Sequence, residues 1–423
     1  MISCANPETL GLDPSRLARI DRWLDGLVEQ RRLAGISLLI NRHGENGHYY
    51  ATGQADMERG TEITPETIFR VYSMTKPVTS LAAMMLYEEG AFQLDDPIAA
   101  FLPEFARMQV CVGGDVDVPQ LEPARSLITV RHLLTHTAGF SYGFMHQTPV
   151  DALYRRHTID FGPSEVPLAE MVTKLAELPL EFQPGTRWRY GFSTDVLGRL
   201  VEVVSGEPLD AFFRRRIFEP LGMDDTAFWV AEDKTDRMAA MYTASDMDPP
   251  PRIGAEPLEL PPPVKPGLKL ADPAAGGRFA RPTRLFSGGG GLTSTMNDYL
   301  RFTHMLRQGG VLDGERLIGR KTLDFMRTNH LNGSMADMGE PRFNNAHLGA
   351  GLGFGLGFAV VLDPAKAQTM GSPGEYYWTG MANTQFWMDP QEDLIVIQMA
   401  QLIPSTLAPV RRELRTLVGQ ALV

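Results

Sequence analysis

The sequence predicts an α+β protein: an antiparallel β-sheet flanked by helices and built from both ends of the chain, with a mostly helical domain inserted. Three observations carry this. Near the start, an amphipathic helix is followed by two β-rich runs. Near the end, β-rich runs lead into a closing helix. Between them, from about residue 95 to 285, the apolar periodicity is helical.

"DPSRLARIDRWLDGLVEQRRL" (13–33) places Leu17, Ile20, Leu24 and Leu27 at helical spacing, with Asp13 as the cap and Pro14 at the first position. "GISLLINRHGENGHYYATGQA" (35–55) reads as a hairpin around a Gly/Asn turn. "IFRVYSMTKPVTSLAAMMLYEEG" (68–90) passes from a β-branched and aromatic run into a helix that Gly90 closes. "LITVRHLLTHTAG", "SEVPLAEMVTKLAEL" and "STDVLGRLVEVVSG" are helical segments joined by long loops. Residues 249–273 hold nine prolines, which forbids helix interior or central strand, so a stiff surface rim or lid is expected there. After "FSGGGGLTSTMNDYLRFTHML", the runs "GFGLGFAVVLD", "YYWTGMANTQFWMD" and "DLIVIQMAQ" read as consecutive antiparallel strands, and "APVRRELRTLVGQALV" as the last helix. The expected division is a sheet domain of residues 1–90 plus 286–423 and a helical insertion of 91–285.

A chain of 423 residues exceeds what one core usually serves, which fits that division. The net charge of −11 argues against nucleic acid or an anionic membrane face as a partner. Cys4 and Cys111 cannot form a disulfide framework, which fits a reducing compartment. The start "MISCANPETLGLDPSRL" lacks the basic and apolar parts of a secretory signal. No apolar run approaches the roughly 18 residues that would cross a bilayer. The expectation is a soluble cytoplasmic protein; the oligomeric state is not legible.

Ser73 and Lys76 stand three apart at the strand-to-helix corner, so their side chains emerge from one face, one turn apart. A serine hydroxyl becomes a nucleophile only when a neighbour takes its proton. A lysine in a closed pocket can be that neighbour once desolvation lowers its pKa, or can supply a field for another base. Ser73 begins the sole S-x-x-K among sixteen serines. Spacing alone leaves open a second reading, a helix cap with a solvated lysine beside it.

"VYSMTKPVTSLAAMMLYEEGAFQLDDPI", "ITVRHLLTHTAGF", "PGTRWRYGFSTDVLGRLVEVVSG" and the late "WTG" together resemble the serine hydrolases that include class C β-lactamases, D,D-peptidases and family VIII carboxylesterases. The resemblance spans most of the chain and implies a β-lactamase/transpeptidase-like fold with Ser73 as nucleophile. It implies that Tyr190 matches the tyrosine of Tyr-x-Asn, its phenolate, stabilised by Lys76, accepting the serine proton and returning it to the leaving group. It also implies that Trp378-Thr379-Gly380 stands where Lys/His-Thr-Gly lines the cleft, with an oxyanion hole of the Ser73 and Met381 backbone N–H groups. Gly380 is expected to let the substrate backbone approach. Neither cofactor nor metal is implied.

Two departures bear on the substrate. Phe192 replaces the Asn of Tyr-x-Asn, which helps hold a β-lactam side chain. Trp378 replaces the cation aimed at a substrate carboxylate, although an Arg from elsewhere could restore it. An aromatic wall suits small-molecule esters with short-chain or hydrophobic acyl groups, so a carboxylesterase is expected. A β-lactamase or D-amino-acid peptidase is the alternative, and acyl transfer a near neighbour of hydrolysis. Tyr142 is placed on the cleft lining.

Three further patterns are assigned to structure. His132 and His136 have the i, i+4 spacing of a metal pair but lack the Glu of H-E-x-x-H and a third ligand. "SGGGG" (287–291) lacks the Lys-Ser/Thr of a phosphate loop and is expected to be a flexible cleft-side turn. "RRRIF" (214–218) is expected to be a solvated helix face.

Overall fold

The computed structural model describes residues 2–244, 267–339, 349–408 and 410–423. Its first helix, α1 (Pro14–Glu29), begins where Asp13 accepts hydrogen bonds from the backbone N–H groups of Ser15 and Arg16. Strands β1 (Gly35–Arg42), β2 (Glu45–Asp56) and β3 (Thr61–Glu62) follow, then helix α2 (Thr75–Glu88). Further on come α3 (Ser193–Ser205) and α4 (Met296–Arg307). Strands β4 (Leu352–Phe354), β5 (Ala359–Val361), β6 (Tyr376–Gly380), β7 (Thr384–Asp389) and β8 (Leu394–Ala400) precede the closing helix α5 (Val410–Gly419).

The eight strands form one sheet in the order β4-β5-β6-β7-β8-β1-β2-β3, antiparallel throughout. The first and last strands pair in the interior of the sheet, Leu38 opposite Gln398 and Ile40 opposite Val396. β1 is buried along its whole length because both faces of the sheet are covered. Ile36, Leu38 and Ile40 pack with Leu17, Ile20 and Leu24 of α1 and Leu414 and Val418 of α5. Leu39, Phe386 and Ile397 join the other core, with Val78 of α2 and Phe302 of α4.

The expected helices and the first hairpin are present, and the differences lie in the loops. "YYWTGMANTQFWMD" is not one strand but two, β6 and β7, because the chain reverses through 381–383 with Asn383 at φ 63°. "GFGLGFAVVLD" likewise holds the paired β4 and β5. The helical middle also contains two-stranded ribbons, Gln109–Gly114 with Pro119–Pro123 and Met241–Ala244 with Leu268–Asp272. Most of the proline-rich stretch expected over 249–273 lies outside the described residues. "RRRIF" forms a helical turn whose Arg215 and Arg216 pair with Glu207 and Glu89 while Ile217 and Phe218 are buried.

Candidate active site

Strand Phe69–Arg70 pairs with Thr293–Ser294, and the chain then turns through Tyr72–Met74 into α2. The corner is pinned from several sides. Val71 N–H donates to the Leu292 carbonyl (3.1 Å), the Tyr299 hydroxyl to the Met74 carbonyl (3.0 Å) and the Thr75 hydroxyl to the Tyr72 carbonyl (2.6 Å). Tyr72, immediately before Ser73, has φ 43°, a left-handed conformation that a bulky residue keeps only where its surroundings over-determine it.

Lys76 is 1% exposed, and its amine has three neighbours: the Gly289 carbonyl at 2.6 Å, the Tyr142 hydroxyl at 2.9 Å and Ser73 Oγ at 3.3 Å. Burial pushes its pKa down to about 7, opposed by the charge of Asp195. Near neutrality both forms of the amine are therefore accessible. The neutral form donates two hydrogens and keeps a lone pair; the ammonium donates all three.

Tyr190 arrives from the segment before α3. Arg189 N–H donates to the His136 carbonyl (2.8 Å) and Phe192 N–H to the Ser141 carbonyl (3.3 Å), so residues 189–192 lie along 136–141. Gly191 is required there, since a Cβ would lie 2.3 Å from the Phe140 carbonyl oxygen. The Tyr190 phenol hydrogen-bonds with the Ser73 hydroxyl, and Lys76 Nζ lies 4.5 Å from the centre of its ring. Burial raises the phenol's pKa, so the phenolate expected from the sequence is not the resting form. The structure thus brings Ser73, Lys76 and Tyr190 together.

β6 closes the site from the other side. The Trp378 ring stands 5.4 Å from that of Tyr190 and 5.3 Å from that of Phe354. Thr379 is half-buried and lines a cavity of about 540 Å³ with Trp188, Trp378, Leu352 and Arg411. At Gly380 a Cβ would lie 2.1 Å from Thr384 Oγ1 and 2.4 Å from the Val71 carbonyl oxygen. The chain itself requires this glycine, to bring the end of β6 against Val71 and the Tyr72–Met74 turn; substrate approach is not what fills the space.

Two expected wall residues lie elsewhere. Phe192 is 1% exposed and packs among Tyr142, Tyr154 and Phe161, so its ring is part of the core behind the site. Tyr142 is equally buried and holds Lys76. The 287–291 turn is neither flexible in its packing nor a cleft edge: it is buried, with Gly288 against the Thr194 carbonyl and Gly289 against Asp195 and Tyr142. His132 completes a capping box with Thr129, and His136 packs against Trp188, Tyr190 and Phe354.

Sequence reasoning missed Asp195. It is fully buried in the first turn of α3, where Oδ1 accepts from the Ser287 hydroxyl (2.5 Å) and Gly289 N–H (3.1 Å). Burial raises its pKa and Lys76 opposes that shift. The glycine turn thereby links a buried carboxylate to a buried amine.

A serine hydroxyl, an amine of lowered pKa and a phenol meet at the start of a helix beside an antiparallel sheet, groups that can together move a serine proton. The Beta-lactamase family model matches residues 20–420; the chain belongs to that family and is a hydrolase of it. Protein Rv1367c of Mycobacterium tuberculosis is 36% identical over 355 residues, 83% of this chain and 82% of that one. Esterase EstB of Burkholderia gladioli is 34% identical over 402 residues, 93% of this chain and 92% of its own. Among solved structures, EstCE1, a hydrolase with promiscuous acyltransferase activity, superposes with a TM-score of 0.77 at 30% identity, covering 96% of this chain and 99% of its own.

Proposed function

We propose that the protein is a carboxylesterase acting on short-chain or hydrophobic acyl esters through an acyl-enzyme on Ser73. The observation that carries this is the placement of the Lys76 amine and the Tyr190 phenol on the Ser73 hydroxyl, with the Trp378 and Trp188 rings standing against Tyr190. Similarity to an esterase and to a hydrolase with acyltransferase activity supports the reaction class.

In this reading, neutral Lys76 donates to Gly289 and Tyr142 and turns its lone pair to Ser73. The serine proton passes to the amine as Oγ attacks the ester carbonyl. The negative charge on the carbonyl oxygen is met by the N–H groups of Ser73 and Met381. The carbon–oxygen bond to the alcohol then breaks, and the alcohol leaves with the proton of Tyr190. Lys76 is now an ammonium and Tyr190 a phenolate beside it. Water gives a proton to that phenolate while its oxygen attacks the acyl group; Ser73 departs and recovers its proton from Lys76. An alcohol in place of water gives acyl transfer.

The opposite directions of their pKa shifts support Lys76 as base and Tyr190 as acid in this reading. The test is turnover of p-nitrophenyl acetate and butyrate beside a chromogenic cephalosporin, for the native chain and for Ser73→Ala. Ester turnover abolished by the substitution, with no phosphonate adduct, is expected. Cephalosporin turnover faster than ester turnover would reassign the protein as a β-lactamase.

A further inference from the structure

The peptide joining Gly380 to Met381 is held from behind. Its carbonyl oxygen accepts a hydrogen bond from Arg411 Nη2 at 2.7 Å. A trans peptide directs its N–H and C=O to opposite sides, so the Met381 N–H points away from Arg411. Arg411 stands in the first turn of α5, and its Nε is buried with no hydrogen-bond partner among the described residues. Its electrostatic neighbours are Tyr377, Tyr190 and Arg415. Burial pushes its pKa down to about 10, which still leaves it a cation near neutrality. Arg411 is half-buried and lines the cavity beside Thr379; desolvating its Nε without a carboxylate beside it is unfavourable, and tying a helix to a strand does not require a charge. Arg415, one turn further along α5, is held by Glu375 and lies over Tyr377 and Trp387, which is the ordinary structural arrangement.

We propose that Arg411 is a positioning residue for acyl transfer: it draws charge from the Gly380 carbonyl and so strengthens the Met381 N–H as an oxyanion donor. The inference rests on the oxyanion role given to Met381 above. A charge-assisted bond to one end of a peptide polarises the other end, by about 10–30% per bond in condensed-phase estimates. Deleting an oxyanion donor outright costs about 10²–10³ in kcat, so weakening one is expected to lower the acylation rate by about tenfold. Interactions made mainly in the transition state lower kcat and leave KM in place.

The test is the infrared band of the acyl-enzyme carbonyl, formed with p-nitrophenyl trimethylacetate carrying ¹³C at the carbonyl. Acylated sites are counted by mass spectrometry so that only competent protein is compared. In the native chain the band is expected below that of the same ester in water. Arg411→Gln is expected to move it back up, with kcat for acylation about tenfold lower and KM unchanged. Arg415→Gln is expected to lower stability and leave the band in place. If Arg411→Gln does not fold, Arg411→Met, which also removes the charge, decides by the same criterion, a raised band supporting the inference. An unmoved band with unmoved acylation in the Arg411 variants overturns it, as does an equal shift in Arg415→Gln. A native band no lower than in water instead overturns the oxyanion reading itself.

Discussion

Lys76 illustrates how a single buried amine is tuned by what surrounds it. Its burial disfavours the ammonium, while Asp195 pulls the other way. The neutral amine is the base in the proposed reaction, so kcat/KM for esters is expected to fall as pH drops through about 7. Asp195→Asn removes the charge that raises the Lys76 pKa. The acid limb is therefore expected to move to lower pH, by roughly one unit. A pH–rate profile of the variant checks this, and an unmoved or alkaline-shifted limb would contradict the assignment. Ser73 and Lys76 were marked by their spacing at a helix start, which left two readings open, and Tyr190 was marked only by the resemblance of its segment to a family motif. Asp195 was not, because an acid in the first turn of a helix ordinarily reads as a complement to the dipole. Only the packing of α3 against the 287–291 turn makes it a buried partner of Lys76. Phe192 misled for a similar reason: its motif position is two residues from Tyr190, but its ring turns into the core.

At the scale of elements, the site is a meeting of a helix start and a strand end. The end of β6 reaches the Ser73 turn only because residue 380 has no side chain. Gly380→Ala would press a methyl group onto the Val71 carbonyl and the Thr384 hydroxyl. Overpacking of this kind costs about 1–3 kcal/mol, and here it also pushes the end of β6 off the turn that carries Ser73. Loss of ester turnover well beyond the loss of stability is expected, measured as kcat alongside a urea midpoint. A variant with native kcat would show that the register of β6 does not matter to the chemistry. The strands were readable from β-branched and aromatic runs, but reversals inside those runs were not. Asn383 takes the left-handed conformation without the Asn-Gly pair that marks a tight hairpin.

For the whole molecule, α1 and α5 cover one face of a sheet in which the first strand pairs with the eighth. Leu414 of α5 has 0% exposure and packs in the core that holds Leu17, Ile20 and Leu24. Leu414→Ala is expected to lower stability by about 2–5 kcal/mol, read from denaturant unfolding. A loss under 0.5 kcal/mol would mean that α5 is not integral to this core. The joining of the two ends was legible from β-rich runs at both termini. The pairing order was not, because hydrophobic runs buried on both faces carry no alternation to fix a register.

The pairing of β1 with β8 also sets a timetable for synthesis. The segment bearing Ser73 is translated well ahead of β6, Met381 and Arg411. A growing chain therefore carries the Ser73 turn long before the strand that packs against it, and the arrangement proposed for catalysis is assembled only once both have emerged.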